Sequence, residues 1–572
     1  MSNSNEVMQV LLDQIASGRL SRRTFLSMVG GTALAIGLMP ETVEQAFAAG
    51  ENQAANQAKI ADAYDYIVVG AGASGSVVAG ELSKTGATVL VVESGGIDSA
   101  PTVSNPSIWF YNVGSPLDWS LPIAPVPQLN RRKFKMALGH VLGGGSSINA
   151  LVWSRGLERD YDTWVQHGAK GWGFKDVLPT YKAQEDWEDG ANEWRGAGGP
   201  VHIRRPKDPH PTAPAFIEAA REMGFPIIED ANGPMKAGAG YINMNIAADG
   251  TRVSSSRAFL RPNLNRPNLT LLLNANVTKI TFAGERATGV ELVAADGAKT
   301  IIANQEVIVA AGTIHSAKLL MLSGIGNAEQ LRKLGIKSVA NLHGVGQNLQ
   351  DHVIVSGVVY QYKGKMPDRP ADSNAVEAEV YFSSGVDSHG TDVNLVLEQL
   401  PIATPEAAAR FGPTPKEGFT IAPALVQPTS RGEVRLASAE WRDPPVIKCN
   451  HLGTDRDLAA IVRAIEVARE LGAKSSLDGI REAEIVPGPH AKNKKDLVEL
   501  ARTAAASFGH AVGTAKMGDG KDAVVDSELR VHGVRGLRIA DASIIPSIIS
   551  GPTNAASFMI GGRAAGLIKT AS

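Results

Sequence analysis

Between residues 64 and 93 the hydrophobic pattern changes register twice. Tyr64-Asp65-Tyr66-Ile67-Val68-Val69 is mostly apolar, without alternation and rich in β-branched residues. Such a run reads as a strand buried on both faces, as in a parallel sheet. Gly70, Gly72 and Gly75 follow; residues 76–84 then read as a helix and residues 88–92 as a second buried strand ending at Glu93. In this strand–turn–helix, Gly70 permits the tight turn and Gly72 lets backbone approach a pyrophosphate. Ala73 and Ser74 bring the chain into the helix, and Gly75 allows helix and strand to pack closely. The unpaired N–H groups at the helix N-terminus then receive the anion. Glu93, 18 residues past Gly75, stands where a carboxylate can accept both ribose hydroxyls. It would repel the extra phosphate of NADP, but does not by itself separate NAD from FAD.

Further along, residues 269–275, 279–282 and 289–294 read as strands, with Asp296-Gly297 as a hairpin turn. Residues 306–310 read as another buried strand, ending at Ala311-Gly312, small enough for backbone to pass a cofactor. Phe216, Ala219, Ala220 and Met223 mark one helical face closed by Gly224. Leu458, Ile461, Val462 and Ile465 mark another, begun near Asp457 and closed by Gly472. At the start of the chain, Arg22-Arg23 precede an apolar run over residues 25–39, interrupted by Gly30, Gly31 and Gly37. A membrane-spanning helix needs about twenty apolar residues, so the run reads as a signal segment rather than an anchor. Ala46-Phe47-Ala48 supplies a small-x-small cleavage pattern. Residues 1–48 are therefore expected to be a twin-arginine signal peptide, which routes folded proteins. Residues 49–62 follow as a polar spacer, and the mature protein is expected to be periplasmic or secreted, without a membrane span.

Composition narrows the chemistry by exclusion. The 572 residues carry a net charge of -2 and a pI near 6.7, which offers no electrostatic footprint for nucleic acid. Cys449 is the sole cysteine, and the twelve histidines show no metal-ligand spacing. No intramolecular disulfide and no metal are expected.

More specific segments lie beyond the glycine fingerprint. Residues 139–150 read GHVLGGGSSINA, followed by Arg155-Gly156; residues 312–326 read GTIHSAKLLMLSGIG. With residues 345–352, Ser430-Arg431-Gly432 and the stretch 510–565, they resemble signature segments of the glucose-methanol-choline (GMC) oxidoreductases, in order and across nearly the whole chain after the signal. The resemblance implies an α/β fold like that of glucose oxidase and p-hydroxybenzoate hydroxylase: a doubly wound FAD-binding domain plus an antiparallel-sheet, α+β substrate domain. The expected division is 63–157, 225–352 and 505–572 for the FAD domain and 158–224 and 353–504 for the substrate domain. By the same resemblance, Gly144, Ser146, Asn149, Ala150, Val277, Asp541, Ala542 and Asn554 would touch FAD, with Asp541 serving the ribityl chain. Asp541 also suits an N-cap for the following turn, and Asn149 a turn former. Some members tether FAD through a histidine where this chain has Ile148, which implies noncovalent FAD here.

Oxidising an alcohol requires removal of a hydroxyl proton and an α-hydride, and a histidine near its reference pKa of about 6.5 suits the first task. Residues 508–518, FGHAVGTAKMG, resemble the family segment that carries this base, which singles out His510. Residues 550–557, SGPTNAAS, resemble the segment of its partner, here Asn554, whose alternative role is a helix N-cap. His315, His352 and His532 are expected to be structural. Five of the eight tryptophans fall between Trp153 and Trp194, which suits packing between domains better than an access channel. Residues 354–425 are least like the signatures and are expected to shape the substrate pocket, leaving the alcohol unidentified. Gly509, where oxidases of the family commonly carry an aromatic, favours a dehydrogenase passing electrons to a quinone or cytochrome over an oxidase using O2. The scaffold also hosts hydroxynitrile lyases and a light-driven fatty acid decarboxylase.

Overall fold

A computed structural model describes residues 60–234, 237–386 and 390–571. Its first sheet grows outward from the buried strand Ala63–Val69. That strand pairs in parallel with Val89–Val92 on one side and Gly297–Val309 on the other. Leu269–Leu272 and Leu537–Ile539 extend the parallel set at its two ends. The helix Ala73–Ser83 and the C-terminal helix Asn554–Ala571 pack on each other, both with buried small residues along the contact. Gly561 belongs to that contact: a Cβ there would lie 2.5 Å from the Ser74 carbonyl oxygen.

Gly297–Val309 is the pivot of this sheet. Its first half pairs antiparallel with Arg286–Ala294, and its last three residues pair in parallel with Leu537–Ile539. The strand thus starts nine residues before the expected 306–310 segment, because its exposed first half carries polar residues that hide it from a search for apolar runs. The hairpin turn is Ala295-Asp296, since Ala294 pairs with Gly297. The expected Asp296-Gly297 turn is therefore shifted by one residue.

The second sheet is mainly antiparallel, in the order Arg481–Val486, Val359–Tyr362, Gly418–Leu425, Val393–Glu398, Ala378–Phe382, Gly238–Tyr241, Ile227–Ile228. Ala505–Ser507 reaches it through Val353–Val355. Residues 227–228, 238–241 and 505–507 were expected in the FAD segments, yet their backbone hydrogen bonds lie in this sheet. Helix Asp455–Gly472 covers it, capped by the Thr454 hydroxyl accepting from Asp457 N–H. Gly472 is the last helical residue rather than a left-handed terminator. A Cβ there would sit 2.0 Å from the Tyr360 hydroxyl, so its role is close approach between helix and sheet. One apolar core runs continuously through both sheets, and among the described residues no helix is long and apolar enough to cross a membrane.

The tryptophan cluster belongs to this packing. Trp153, Trp164 and Trp172 are fully buried, and their indole N–H groups donate to Glu185, Ser547 and Ser527 respectively. None of the five lines the main cavity, whereas Trp109, Trp119 and Trp441 do.

Candidate active site

The parallel sheet ends in a cavity of about 480 Å³ that runs from Glu93 to His510. At its nucleotide end the backbone leaves Val69 through Gly70, whose φ of +97° few other residues adopt; a Cβ there would lie 2.5 Å from the Ala310 carbonyl oxygen. Gly72 caps the helix Ala73–Ser83 without a side-chain hydrogen bond, which leaves the helix N-terminus open to a ligand. Gly144 crosses here so closely that a Cβ on it would lie 2.8 Å from Gly72 Cα. Gly75 does not line the cavity. A Cβ on it would strike the Gly70 carbonyl oxygen at 1.9 Å, so it serves the packing role alone.

Fourteen of the fifteen residues expected at the site line this one cavity: Gly70, Gly72, Ala73, Ser74, Glu93, Gly144, Ser146, Asn149, Ala150, Val277, His510, Asp541, Ala542 and Asn554. Glu93 accepts the Ala71 and Gly95 N–H groups at 2.8 Å each, and burial raises its carboxyl. The two backbone bonds fix the carboxylate at the rim while lone pairs remain for a ligand. Asp541 does cap its turn, accepting from Ser543 N–H at 2.8 Å. Its other oxygen accepts from Gly312 N–H at 2.9 Å and the Ser316 hydroxyl at 2.5 Å, tying the last parallel strand to the helix Gly312–Leu322. Ile148 also lines the cavity.

The loop 143–149 is held by a residue the sequence reading passed over. Arg252 is buried, and donates to the Asn149 side-chain oxygen at 2.6 Å, the Asn149 carbonyl at 2.7 Å, the Ser146 carbonyl at 3.2 Å and the Val103 carbonyl at 2.7 Å. Desolvation lowers its pKa to about 9. Its only sequence signal is an arginine among small polar residues, 252–256, which looks like surface.

At the other end lies an imidazole pair. His510 Nδ1 is 2.9 Å from His352 Nδ1, and His352 Nε2 is 3.0 Å from the Ile549 carbonyl oxygen. A carbonyl only accepts, so His352 carries its proton on Nε2 and its Nδ1 is an acceptor. His510 must then donate from Nδ1, which leaves its Nε2 bare. Burial, then the charge of the neighbouring imidazole, lowers His510 to about 3, with Asp351 opposing; burial lowers His352 to about 4. Both rings are thus neutral at ordinary pH. His352, expected to be structural, is the residue that sets the tautomer of His510.

Asp351 holds the backbone of the pair. It accepts His510 N–H at 2.9 Å, the Ser507 hydroxyl at 2.5 Å and His451 Nε2 at 3.1 Å. Asn554 begins the C-terminal helix, and its Nδ2 has no hydrogen-bond partner among the described residues. A cap would act through the side-chain oxygen, so the Nδ2 donor on the cavity wall stays available to a ligand acceptor in either role. Phe508 stacks near His510 with ring centres 4.6 Å apart. Gly509 takes φ +75°, and a Cβ there would meet only the Ala137 carbonyl oxygen, at 3.6 Å.

A glycine-lined helix N-terminus at one end of a cavity, with a neutral imidazole pair and a free amide donor at the other, is the layout of a nucleotide-cofactor enzyme. Models of the GMC oxidoreductase family match residues 64–354 and 428–561. The chain belongs to the GMC oxidoreductase family. An oxygen-dependent choline dehydrogenase of Brucella anthropi is 38% identical over 523 residues, covering 87% of this chain and 94% of that protein. The mitochondrial choline dehydrogenase of Mus musculus is 36% identical, covering 89% and 90%. Among solved structures, pyridoxine 4-oxidase from Mesorbium loti superposes with a TM-score of 0.84 at 30% identity, covering 89% of this chain and 99% of that one. The fold is accordingly that of the family, an FAD-binding unit joined to a substrate unit.

Proposed function

We propose that this protein oxidises the CH–OH group of a small-molecule alcohol to an aldehyde or ketone, using noncovalently bound FAD. The observation that carries the reading is the bare Nε2 of His510, fixed by the chain Ile549–His352–His510. The names of the relatives, choline dehydrogenases among them, support an alcohol as donor. Gly70, Gly72 and the helix start at Ala73 and Ser74 suit the pyrophosphate, Glu93 the ribose, and Asn149, Ala150, Asp541 and Ala542 the flavin and its ribityl chain. When bound, the flavin supplies the acceptor for the hydride. His510 Nε2 takes the hydroxyl proton, and its Nδ1–H stays donated to His352, so the imidazolium that forms keeps a hydrogen-bonded partner. The Asn554 amide donates to the alkoxide oxygen and stabilises its charge without competing as a second base.

Ile148 at the cavity wall supports noncovalent attachment, because an alkyl side chain has no nucleophile for the ring. The open space beside Gly509 favours a dehydrogenase with a quinone or cytochrome acceptor over an oxidase. One set of flavin measurements tests all three statements. Acid precipitation should release FAD into the supernatant; primary or secondary alcohols should bleach the bound flavin anaerobically; the reduced enzyme should reoxidise faster with a soluble quinone than with air. Yellow protein pellets, a flavin that no alcohol bleaches, or oxygen outpacing turnover would each remove the corresponding statement.

Export is proposed from Arg22-Arg23 and the short apolar run, which lie outside the described residues. Replacing both arginines by lysine should strand flavin-loaded precursor in the cytoplasm. Unchanged export would dismiss the twin-arginine route.

A further inference from the structure

The cavity continues past the imidazole pair onto the second sheet. Strands Ala378–Phe382 and Val393–Glu398 are antiparallel neighbours, with Glu379 opposite Val396. Alternation puts Asn394, Val396 and Glu398 on the same face as Glu379, and all four line the cavity. This face offers acceptors. Glu379 is 5% exposed and Asn394 1%, and the Asn394 Oδ1 has no hydrogen-bond partner among the described residues. Glu398 Oε2 is likewise buried without a partner. Burial alone raises the Glu398 carboxyl to about 7, since no donor or cation beside it offsets the desolvation. Glu379 Oε2 accepts from Asn394 Nδ2 at 3.5 Å. Buried acceptors without donors, as Asn394 Oδ1 and Glu398 Oε2 are among the described residues, are costly and rare in folded proteins, and both belong to residues on the wall of the cavity. The same cavity has an apolar strip: Val376, Val396 and Ile242 pack in one cluster with Phe508, whose ring neighbours His510. Glu398 lies two residues along the strand from Val396, about 7 Å in extended backbone.

We propose that Glu398, with Glu379 and Asn394, forms a subsite for the protonated amine of an amino-alcohol substrate. The proposal rests on the alcohol-oxidising reading of the same cavity. A primary ammonium brings three N–H donors and a positive charge, which matches two carboxylates and an amide oxygen. A neutral hydroxyl brings one donor and no charge, and a quaternary ammonium such as choline brings charge with no N–H. The apolar strip takes the hydrocarbon link, placing the amine several bonds from the carbinol carbon that faces His510.

The test uses the FAD-loaded enzyme and anaerobic flavin reduction by a series from aminopropanol to aminohexanol. Each is compared with the straight-chain alcohol in which a methyl group replaces the ammonium. The best amino alcohol should exceed its methyl isostere by about 50-fold or more in kcat/KM, the scale of a desolvated charge-assisted contact. Glu398→Gln should cut that ratio to about 3 or less. In the wild type, an alkylamine lacking the hydroxyl should compete with a neutral alcohol, and its tetraalkylammonium counterpart should compete less. Equal kcat/KM for both members of every pair, no inhibition by the alkylamine, or a ratio undiminished in Glu398→Gln would overturn the subsite. If neutral alcohols reduce the flavin without any amine preference, the subsite fails and alcohol oxidation stands; if no alcohol of either kind reduces it, both fall. Should Glu398→Gln not retain flavin, the wild-type pairs and the inhibition measurement decide alone.

Discussion

At the level of single residues, the site depends on which nitrogen of which imidazole holds a proton. The Ile549 carbonyl fixes His352, and His352 fixes His510. His510→Ala should lower the rate of flavin reduction by roughly two to four orders of magnitude, the usual worth of a positioned general base, with FAD still bound. For the proposed base the active form is the neutral ring, so activity should fall as pH drops through the low value that burial gives His510, about 3. Above about pH 5, no step in the rate of flavin reduction should come from this group. A stopped-flow pH series checks both; near wild-type reduction in the alanine variant would remove His510 from the mechanism. The sequence singles out His510 because its flanking segment resembles a family signature. His352 stands in another such segment, 345–352, yet its function is invisible there, since it arises from a contact 158 residues away. No local pattern encodes which histidine another histidine will meet.

Among elements, those buried on both faces were read well and those that are half exposed less so. The strand Ala63–Val69 and its glycine turn follow directly from a largely apolar run. Gly297–Val309 was found only over its buried end, because residues 297–306 alternate with solvent-facing polar positions. The pattern presents Gly472 as a terminator, and in the fold it is a contact surface for Tyr360; sequence shows a glycine, and only the packed sheet shows what it avoids. The loop 143–149 illustrates the same limit. Its glycines and serines were legible, but its anchor is Arg252, more than a hundred residues on. Replacing Arg252 by Met should keep much of the volume and lose four hydrogen bonds from a buried cation. Bound FAD should weaken by about 10- to 100-fold, since each such bond contributes on the order of 1.5–3 kcal/mol and part is recovered by relaxation. Equilibrium flavin titration of the variant checks this, and unchanged affinity would free the loop from dependence on Arg252.

For the molecule as a whole, three buried imidazoles from different parts of the chain make stability sensitive to acid. His315 and His510 are held down to about 3 and His352 to about 4, each with burial as the largest cause. Their unfolded values lie near 6.5. A histidine whose folded pKa is lowered gives its full stability above the unfolded value, and that stability is lost as pH falls from there toward the folded value. Between pH 6.5 and 4 the unfolded chain therefore binds up to three more protons at these sites, each worth about 1.4 kcal/mol per pH unit. Glu398 acts in the opposite sense: burial raises it to about 7, so the native state gains a proton first and acid is favourable there. Burial also lowers His140, His167 and His210, in the sense of the three imidazoles, and raises Glu93, Asp160, Glu484 and Asp541, in the sense of Glu398. The loss through these imidazoles begins at about pH 6.5, before ordinary surface carboxylates near pH 4 begin to titrate. His315→Gln removes one of these titrations without touching the proposed base, and should flatten the acid slope of the FAD-loaded enzyme by up to about 1.4 kcal/mol per pH unit, the worth of one proton. Melting temperatures followed by flavin fluorescence across this range would show it. An equal slope in the variant would mean that water in the cavity already hydrates the His315 ring and that its neutrality is not enforced by the fold.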